Sequence, residues 1–274
     1  MAYKRILTIQ DISCVGQCSM TVALPILSAC GHETCILPTA VLSTHTGGFQ
    51  NPVITSLADT MWQTAEHWKR EGITFDAIYV GYLGSIRAIE ITEKILGTML
   101  APGGLAIVDP AMGDNGRLYS GFDDAYAEAM KGLCQKADII LPNITEAAMF
   151  AGLPFRAELT EEYVAQLLDR LTEPCVLLTG VGYSPEETGI LIRQGGHREH
   201  LRHPKIPRSF HGTGDIFASC FVGSLMQGKA IREAVEIAAE AVQISIRNTM
   251  DSPAHWYGVK FETALPALIR RLEN

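Results

Sequence analysis

His211-Gly212-Thr213-Gly214-Asp215 runs directly into the apolar stretch Ile216-Phe217-Ala218-Ser219-Cys220-Phe221-Val222. A glycine-rich turn that opens a helix aims free backbone N–H groups and the positive helix end at one spot, which suits an anion. Asp215 adds a carboxylate at that spot. The pairing suits phosphoryl transfer: the N–H groups hold phosphoryl oxygens while the carboxylate takes the proton of an attacking hydroxyl, a step worth roughly 10²- to 10⁴-fold. Gly, Thr and Asp also cap ordinary helices, so the rest of the chain has to decide between the two readings.

Upstream, short apolar runs alternate with helical patterns. Strands are expected at Lys4 to Ile9, Glu33 to Leu37, Asp76 to Val80, Leu105 to Asp109, Asp138 to Leu141, Cys175 to Thr179 and Thr188 to Arg193, the last two pairing antiparallel. Helices are expected at Met20 to Ala29, Val53 to Glu71, Ile89 to Leu100, Asp123 to Gln135, Asp215 to Met226 and Ile231 to Asn248. This order predicts an α/β fold with a central, mostly parallel sheet covered by helices on both faces. No linker composition or repeat divides the 274 residues, so a single domain over 1–274 is expected.

Ligands of open α/β sheets sit beyond the carboxyl ends of the strands. Gln10, Asp11 and Ser13 follow the first strand, Thr44-His45-Thr46-Gly47-Gly48 the second, and Gly81-Tyr82-Leu83-Gly84 the third. Asp109-Pro110-Ala111-Met112-Gly113-Asp114, Pro142-Asn143-Ile144-Thr145-Glu146 and Thr179-Gly180-Val181-Gly182 follow the next three. Asp109, Asp114, Asn143, Glu146 and Asp215 are the acid and amide groups that a magnesium nucleotide needs. Asn143 and Glu146, three apart, also fit a helix capping box, a role compatible with ligand binding. His45 and Tyr82 fit plain packing equally well and gain meaning from their place on this edge.

Three other patterns are set aside. Gly223 to Lys229 has P-loop spacing, but Ala230 stands where a magnesium-binding hydroxyl belongs and a helix precedes it. Gly180-Val181-Gly182 lacks the third glycine of a dinucleotide turn, with Pro185 in its place. His197, His200 and His203 lie among charged residues, which suits a solvated surface or a nucleotide rim better than a metal site.

The net charge of −8, without a basic stripe, argues against nucleic acid as a partner. Seven cysteines without metal-ligand spacing fit a reducing compartment. The apolar run at the start stops at Gln10 and Asp11, too early for a signal peptide, and no stretch reaches the ~18 apolar residues of a membrane span. A cytoplasmic protein that binds no membrane is expected.

The ordered set Ile9-Gln10, Ser43-Thr44-His45-Thr46, Gly81-Tyr82-Leu83-Gly84-Ser85, Asp109 to Asp114, Pro142-Asn143 with Glu146, and Gly212-Thr213-Gly214-Asp215 resembles the ribokinase superfamily, and within it the pyridoxal (vitamin B6) kinases. The resemblance runs from Ile6 to about Asn248. It implies ATP-dependent phosphorylation of the 5′-hydroxymethyl group of pyridoxal, pyridoxine or pyridoxamine. By that pattern Asp215 is the base, and Gly212, Thr213 and Gly214 form the anion hole. Asp109, Asp114, Asn143, Glu146 and Thr179 serve the phosphates, with Thr213 beside them, Tyr119 along the nucleotide channel, and Asp109 and Glu146 toward Mg2+. Thr46, Tyr82 and residue 11 face the pyridine ring, and His45, Ser13 and Asp215 complete the substrate-binding set. A homodimer is implied, while dependence on a monovalent cation such as K+ is left open.

Two features refine this expectation. The passage from Leu37 to Pro52 leaves little room for the sheet-like lid of sugar kinases, so no large lid is expected. Asp11 stands where the B6 kinases usually carry Ser. A carboxylate there favours a cationic vitamer, pyridoxamine above all, with Ser13 as the substitute hydroxyl; alternatively Asp11 turns away and caps the turn. The rival functions are a hydroxymethylpyrimidine kinase of thiamine synthesis, which shares the turn at 212–215, and a non-catalytic vitamer- or nucleotide-binding module, against which the intact Asp215 argues.

Overall fold

A computed structural model describes residues 2–273. In chain order the elements are β1 (Arg5–Ser13), α1 (Met20–Ala29), β2 (Glu33–Leu42), β3 (Ile54–Ser56), α2 (Ala58–Arg70), β4 (Phe75–Val80), α3 (Ile86–Met99) and β5 (Leu100–Val108). Then come β6 (Gly113–Asp114), β7 (Arg117–Leu118), α4 (Asp124–Cys134), β8 (Ile139–Ile140), α5 (Ile144–Ala151), α6 (Glu161–Arg170), β9 (Cys175–Thr179), β10 (Glu187–Gln194) and β11 (His197–Pro204). The chain closes with α7 (Thr213–Met226), α8 (Ile231–Arg247), a short 3₁₀ turn at Phe261–Thr263 and α9 (Leu265–Glu273).

Nine strands form one sheet in the order β11-β10-β9-β8-β5-β4-β1-β2-β3. Pairing is parallel from β9 through to β2 and antiparallel at the added edges β10, β11 and β3. Alternate residues of the parallel strands point into two separate cores, as a sheet buried on both faces requires. Leu7, Ile9, Ile78, Val80, Val108 and Ile140 meet α2 to α6 on one face. Ile6, Ala77, Tyr79, Ile107 and Ile139 meet α1, α7, α8 and α9 on the other. The architecture is the expected α/β one. After β2 and β3 the chain returns to pair β4 on the opposite side of β1, so the strand order reverses at the carboxyl end of β1 and opens a crevice there.

Several expected boundaries shift for local reasons. The helix expected over Val53 to Glu71 starts at Ala58, because the β-branched Ile54 and Thr55 pair antiparallel with Leu42 and Val41. Strand β1 continues four residues past Ile9 through an irregularity between Gln10 and Ile12, which places Asp11 and Ser13 on the strand rather than after it. Helix α6 was not foreseen. The loop from 43 to 53 joins two strands of the main sheet, and the other described sheet is only the β6-β7 hairpin, so this passage carries no separate lid sheet.

Two of the patterns set aside have plain structural roles. Gly223 lies inside α7, where a Cβ would stand 2.4 Å from Cys30 Sγ, and Lys229 pairs with Glu233. The three histidines lie on the edge strand β11, where His197 is exposed and His200 and His203 are half-buried.

Candidate active site

Gly212 caps α7 with φ +79°, the left-handed region that favours glycine. A Cβ there would also stand 1.9 Å from the Gln17 carbonyl oxygen, so glycine is required twice over. No side chain caps this helix, and Gly214 opens onto free space. The first-turn N–H groups of Thr213, Gly214 and Asp215 are therefore available to an anion, while the Thr213 hydroxyl bonds back to the Phe210 carbonyl at 3.3 Å.

Desolvation, aided by Asp109 and Asp11, pushes the Asp215 carboxyl up to about 8. Hydrogen bonds from the Ser19 backbone N–H and the Cys18 thiol act in the opposite direction. Desolvation and the proximity of Glu146 push Asp109 far above the usual carboxylate range, and desolvation pushes up Glu146 as well. Asp109 projects just past β5, where Oδ1 accepts from the Ala111 N–H at 3.3 Å.

Glu146 is 1% exposed and firmly oriented. Its Oε1 accepts from the Met112 N–H at 2.9 Å and the Gly113 N–H at 3.4 Å, and its Oε2 accepts from the Asn143 N–H at 2.9 Å. The expected capping box is complete, since Asn143 Oδ1 accepts from the Glu146 N–H at 3.0 Å. The Asn143 amide meanwhile donates to the Gly113 carbonyl at 2.8 Å. Thr179 lies alongside, bridged to Asn143 at the end of β9. Asp114 is exposed at the hairpin tip, bonded to Asn115, and Tyr119 stands at the rim within electrostatic reach of Glu146, Asp114, Asp109 and Asp215.

Two carboxylates in a low-dielectric crevice, with no basic partner among the described residues, carry on ionisation a charge that a divalent cation offsets. No group of three or more His, Cys, Asp or Glu side chains able to hold a metal occurs among the described residues. A donor set of one or two carboxylates, completed by phosphate oxygens and water, is the one that suits Mg2+. Asp109 and Glu146 fit that ion.

At the other end of the crevice, Asp11 is 2% exposed and its Oδ2 accepts from the Ser13 hydroxyl at 2.9 Å. Its Oδ1 is enclosed without a hydrogen-bond partner among the described residues, and burial pushes the carboxyl up against the opposing pull of Ser19 and Ser13. Ser13 thus spends its hydroxyl on Asp11, and β1 meets the turn before α1 through the bridge between Ile12 and Ser19. Tyr82 follows β4, feels the Asp11 charge and lies 5.4 Å from Phe122, which stacks on Tyr126 at 3.7 Å. Thr46 is exposed. His45 is buried and engages backbone groups at both ring nitrogens, Tyr257 O at 2.6 Å and the Gly47 N–H at 3.0 Å.

The crevice therefore gathers Asp11, Tyr82, Asp109, Tyr119, Glu146 and Asp215 from five connections of the sheet. Two contributors escaped the sequence reading: the turn at 16–19 and the segment His255-Trp256-Tyr257. A cluster of aromatic residues next to Gly258, outside any regular element, was the available signal for the second.

The sequence profile of the phosphomethylpyrimidine kinase family matches residues 24–259. A Bacteroides thetaiotaomicron protein, provisionally assigned as a phosphomethylpyrimidine kinase and crystallised with pyridoxal, is 37% identical with a TM-score of 0.90, covering 97% of this chain and 95% of its own. Pyridoxal kinase from Lactobacillus plantarum is 32% identical with a TM-score of 0.89, covering 97% of each chain. Pyridoxal kinase from Arabidopsis thaliana is 25% identical over 265 residues, 90% of this chain and 82% of the plant enzyme.

Proposed function

The chain belongs to the phosphomethylpyrimidine kinase family, and from that premise we propose that it is a ribokinase-like pyridoxal kinase, transferring the γ-phosphoryl group of ATP to the 5′-hydroxymethyl group of a B6 vitamer. The observation that carries the reading is Asp215 itself, a carboxylate held near 8 at a helix start whose N–H groups have no capping side chain. A base tuned close to working pH, with anion donors beside it, is what moving a proton from an alcohol to a carboxylate during phosphoryl transfer demands.

Asp215 accepts the hydroxyl proton as the new P–O bond forms and the bond to the ADP oxygen breaks. The N–H groups of Thr213 and Gly214, presented by the left-handed Gly212, stabilise the charge on the transferring phosphoryl oxygens. Asn143, Thr179 and Thr213 lie along the path of the phosphates, and Tyr119 and Asp114 at the nucleotide rim. Asp109 and Glu146 would hold Mg2+, which supplies positive charge against the phosphates when bound. The vitamer ring takes the Tyr82 and Thr46 side of the crevice, with Asp11 acting behind the base rather than on the ring.

A homodimer and a cytoplasmic location complete the proposal, supported by the resemblance to B6 kinases. Among the described residues no helix is long and apolar enough to cross a membrane. ADP release should be followed with pyridoxal, pyridoxine, pyridoxamine and hydroxymethylpyrimidine in parallel. Turnover of at least one vitamer above the pyrimidine is the expected result. Turnover of the pyrimidine alone would assign the chain to the thiamine branch, and none with any of the four would leave a binding module.

A further inference from the structure

Four glycines in this region face another segment so closely that a side chain would overlap it at Gly16 and Gly47 and press against it at Gly48 and Gly258. A Cβ on Gly16 would stand 2.0 Å from His45 Cδ2, one on Gly47 2.5 Å from His211 Nδ1, and one on Gly48 3.0 Å from Trp256 Cζ3. One on Gly258 would stand 3.2 Å from Gln17. Three stretches distant in sequence, at 16–17, 45–49 and 255–258, are thus interlocked against His211, the residue just before the anion-hole glycine.

His45 sits at the centre of this packing. Its ring is 5.3 Å from His211 and 4.9 Å edge-on to Phe49, and Phe49 lies 4.8 Å from Trp256. The Gly47 N–H donates to Nδ1, so Nε2 carries the proton that is given to the Tyr257 carbonyl. Burial favours the neutral ring that this pattern needs. Both polar atoms are committed to backbone groups, which leaves none for a ligand.

We propose that His45 is a positioning residue, pinning the 44–49 loop to the 255–257 segment and to His211, so that the C-terminal segment becomes a fixed wall of the vitamer site. This rests on the kinase reading above. Thr46 lies between the two pinned residues, so its place over the crevice depends on the pin. Trp256, 47% exposed on this wall, reports its state.

The first test measures KM for vitamer and for ATP in His45→Ala and His45→Gln, since glutamine keeps one donor and one acceptor. Losing two hydrogen bonds should raise the vitamer KM about tenfold in His45→Ala and leave the ATP KM within about twofold, with His45→Gln close to wild type. Equal impairment of the two variants would mean that the imidazole itself meets the substrate and would overturn the proposal. So would an unchanged vitamer KM in His45→Ala.

A second test holds if His45→Ala does not fold. Gly47→Ala should raise the vitamer KM by its collision with His211, and adding His211→Ala should reverse most of that rise. Additive effects would refute the interlock. A third readout needs no substrate: acrylamide quenching of Trp256, taken as the difference between wild type and Trp256→Phe, should increase in Gly47→Ala and return in the double variant. If no vitamer turns over, the kinase reading fails on its own, and this quenching experiment still decides the pin. Quenching unchanged in Gly47→Ala counts against it.

Discussion

Asp215 shows how one side chain acquires its chemistry from its surroundings. Replacing it with asparagine removes the proton acceptor but keeps the shape, so kcat should fall by at least ~10²-fold while nucleotide affinity is retained. Near-normal turnover in Asp215→Asn would remove this residue from the mechanism. In the wild type the base has to be ionised to act. With its pKa raised to about 8, kcat should climb as pH rises toward that value and then level off. Asp11 carries the opposite lesson. Its position suggests a residue that reads the substrate ring, yet its carboxylate is enclosed and bonded to Ser13. Asp11→Ser should therefore change the ratio of kcat/KM for pyridoxamine over pyridoxal by less than about twofold, under ~0.5 kcal/mol. A larger movement would show that the carboxylate does read the ring.

Among the elements, the parts legible in the sequence are those whose signal is local. Helix α1 spans the expected Met20–Ala29 despite Pro25, and β9 the expected Cys175–Thr179, because an apolar run with clear borders needs no distant partner. The capping box at Asn143 and Glu146 was readable for the same reason. Strand β3 was not, since three residues become a strand only through pairing with Leu42, Val41 and Ala40. The extension of β1 to Ser13 likewise depends on β2, and it is what turns Asp11 from a loop residue into a buried one. The 255–257 wall lay beyond reach because its partners are some two hundred residues away. Local signals also carry measurable weight. Thr160 caps α6 by accepting from the Tyr163 N–H at 3.2 Å, far from the crevice. Thr160→Ala should cost about 1 kcal/mol in denaturant unfolding and leave turnover intact. A loss within error of zero would show that the cap is dispensable.

For the molecule as a whole, the acids of the crevice link stability to pH. Asp215, Asp109 and Glu146 are all raised above their unfolded values near 4. The folded chain thus binds more protons than the unfolded chain between about pH 4 and about pH 8, and stability falls as pH rises through that window. The melting temperature of the ligand-free protein should drop across this range, and Mg2+ with ADP should flatten the slope by favouring the ionised acids. A melting temperature that rises with pH would contradict the burial argument. The interlock at Gly47, His45 and Tyr257 has a consequence in time. A polypeptide emerges from the ribosome in order, so Asp215 and its glycine turn appear well before the segment at 255–257 that is to wall the crevice. A nascent chain halted between those points has the reactive groups without the proposed wall, so synthesis of the 255–257 segment sets the moment at which the vitamer site can take its final form.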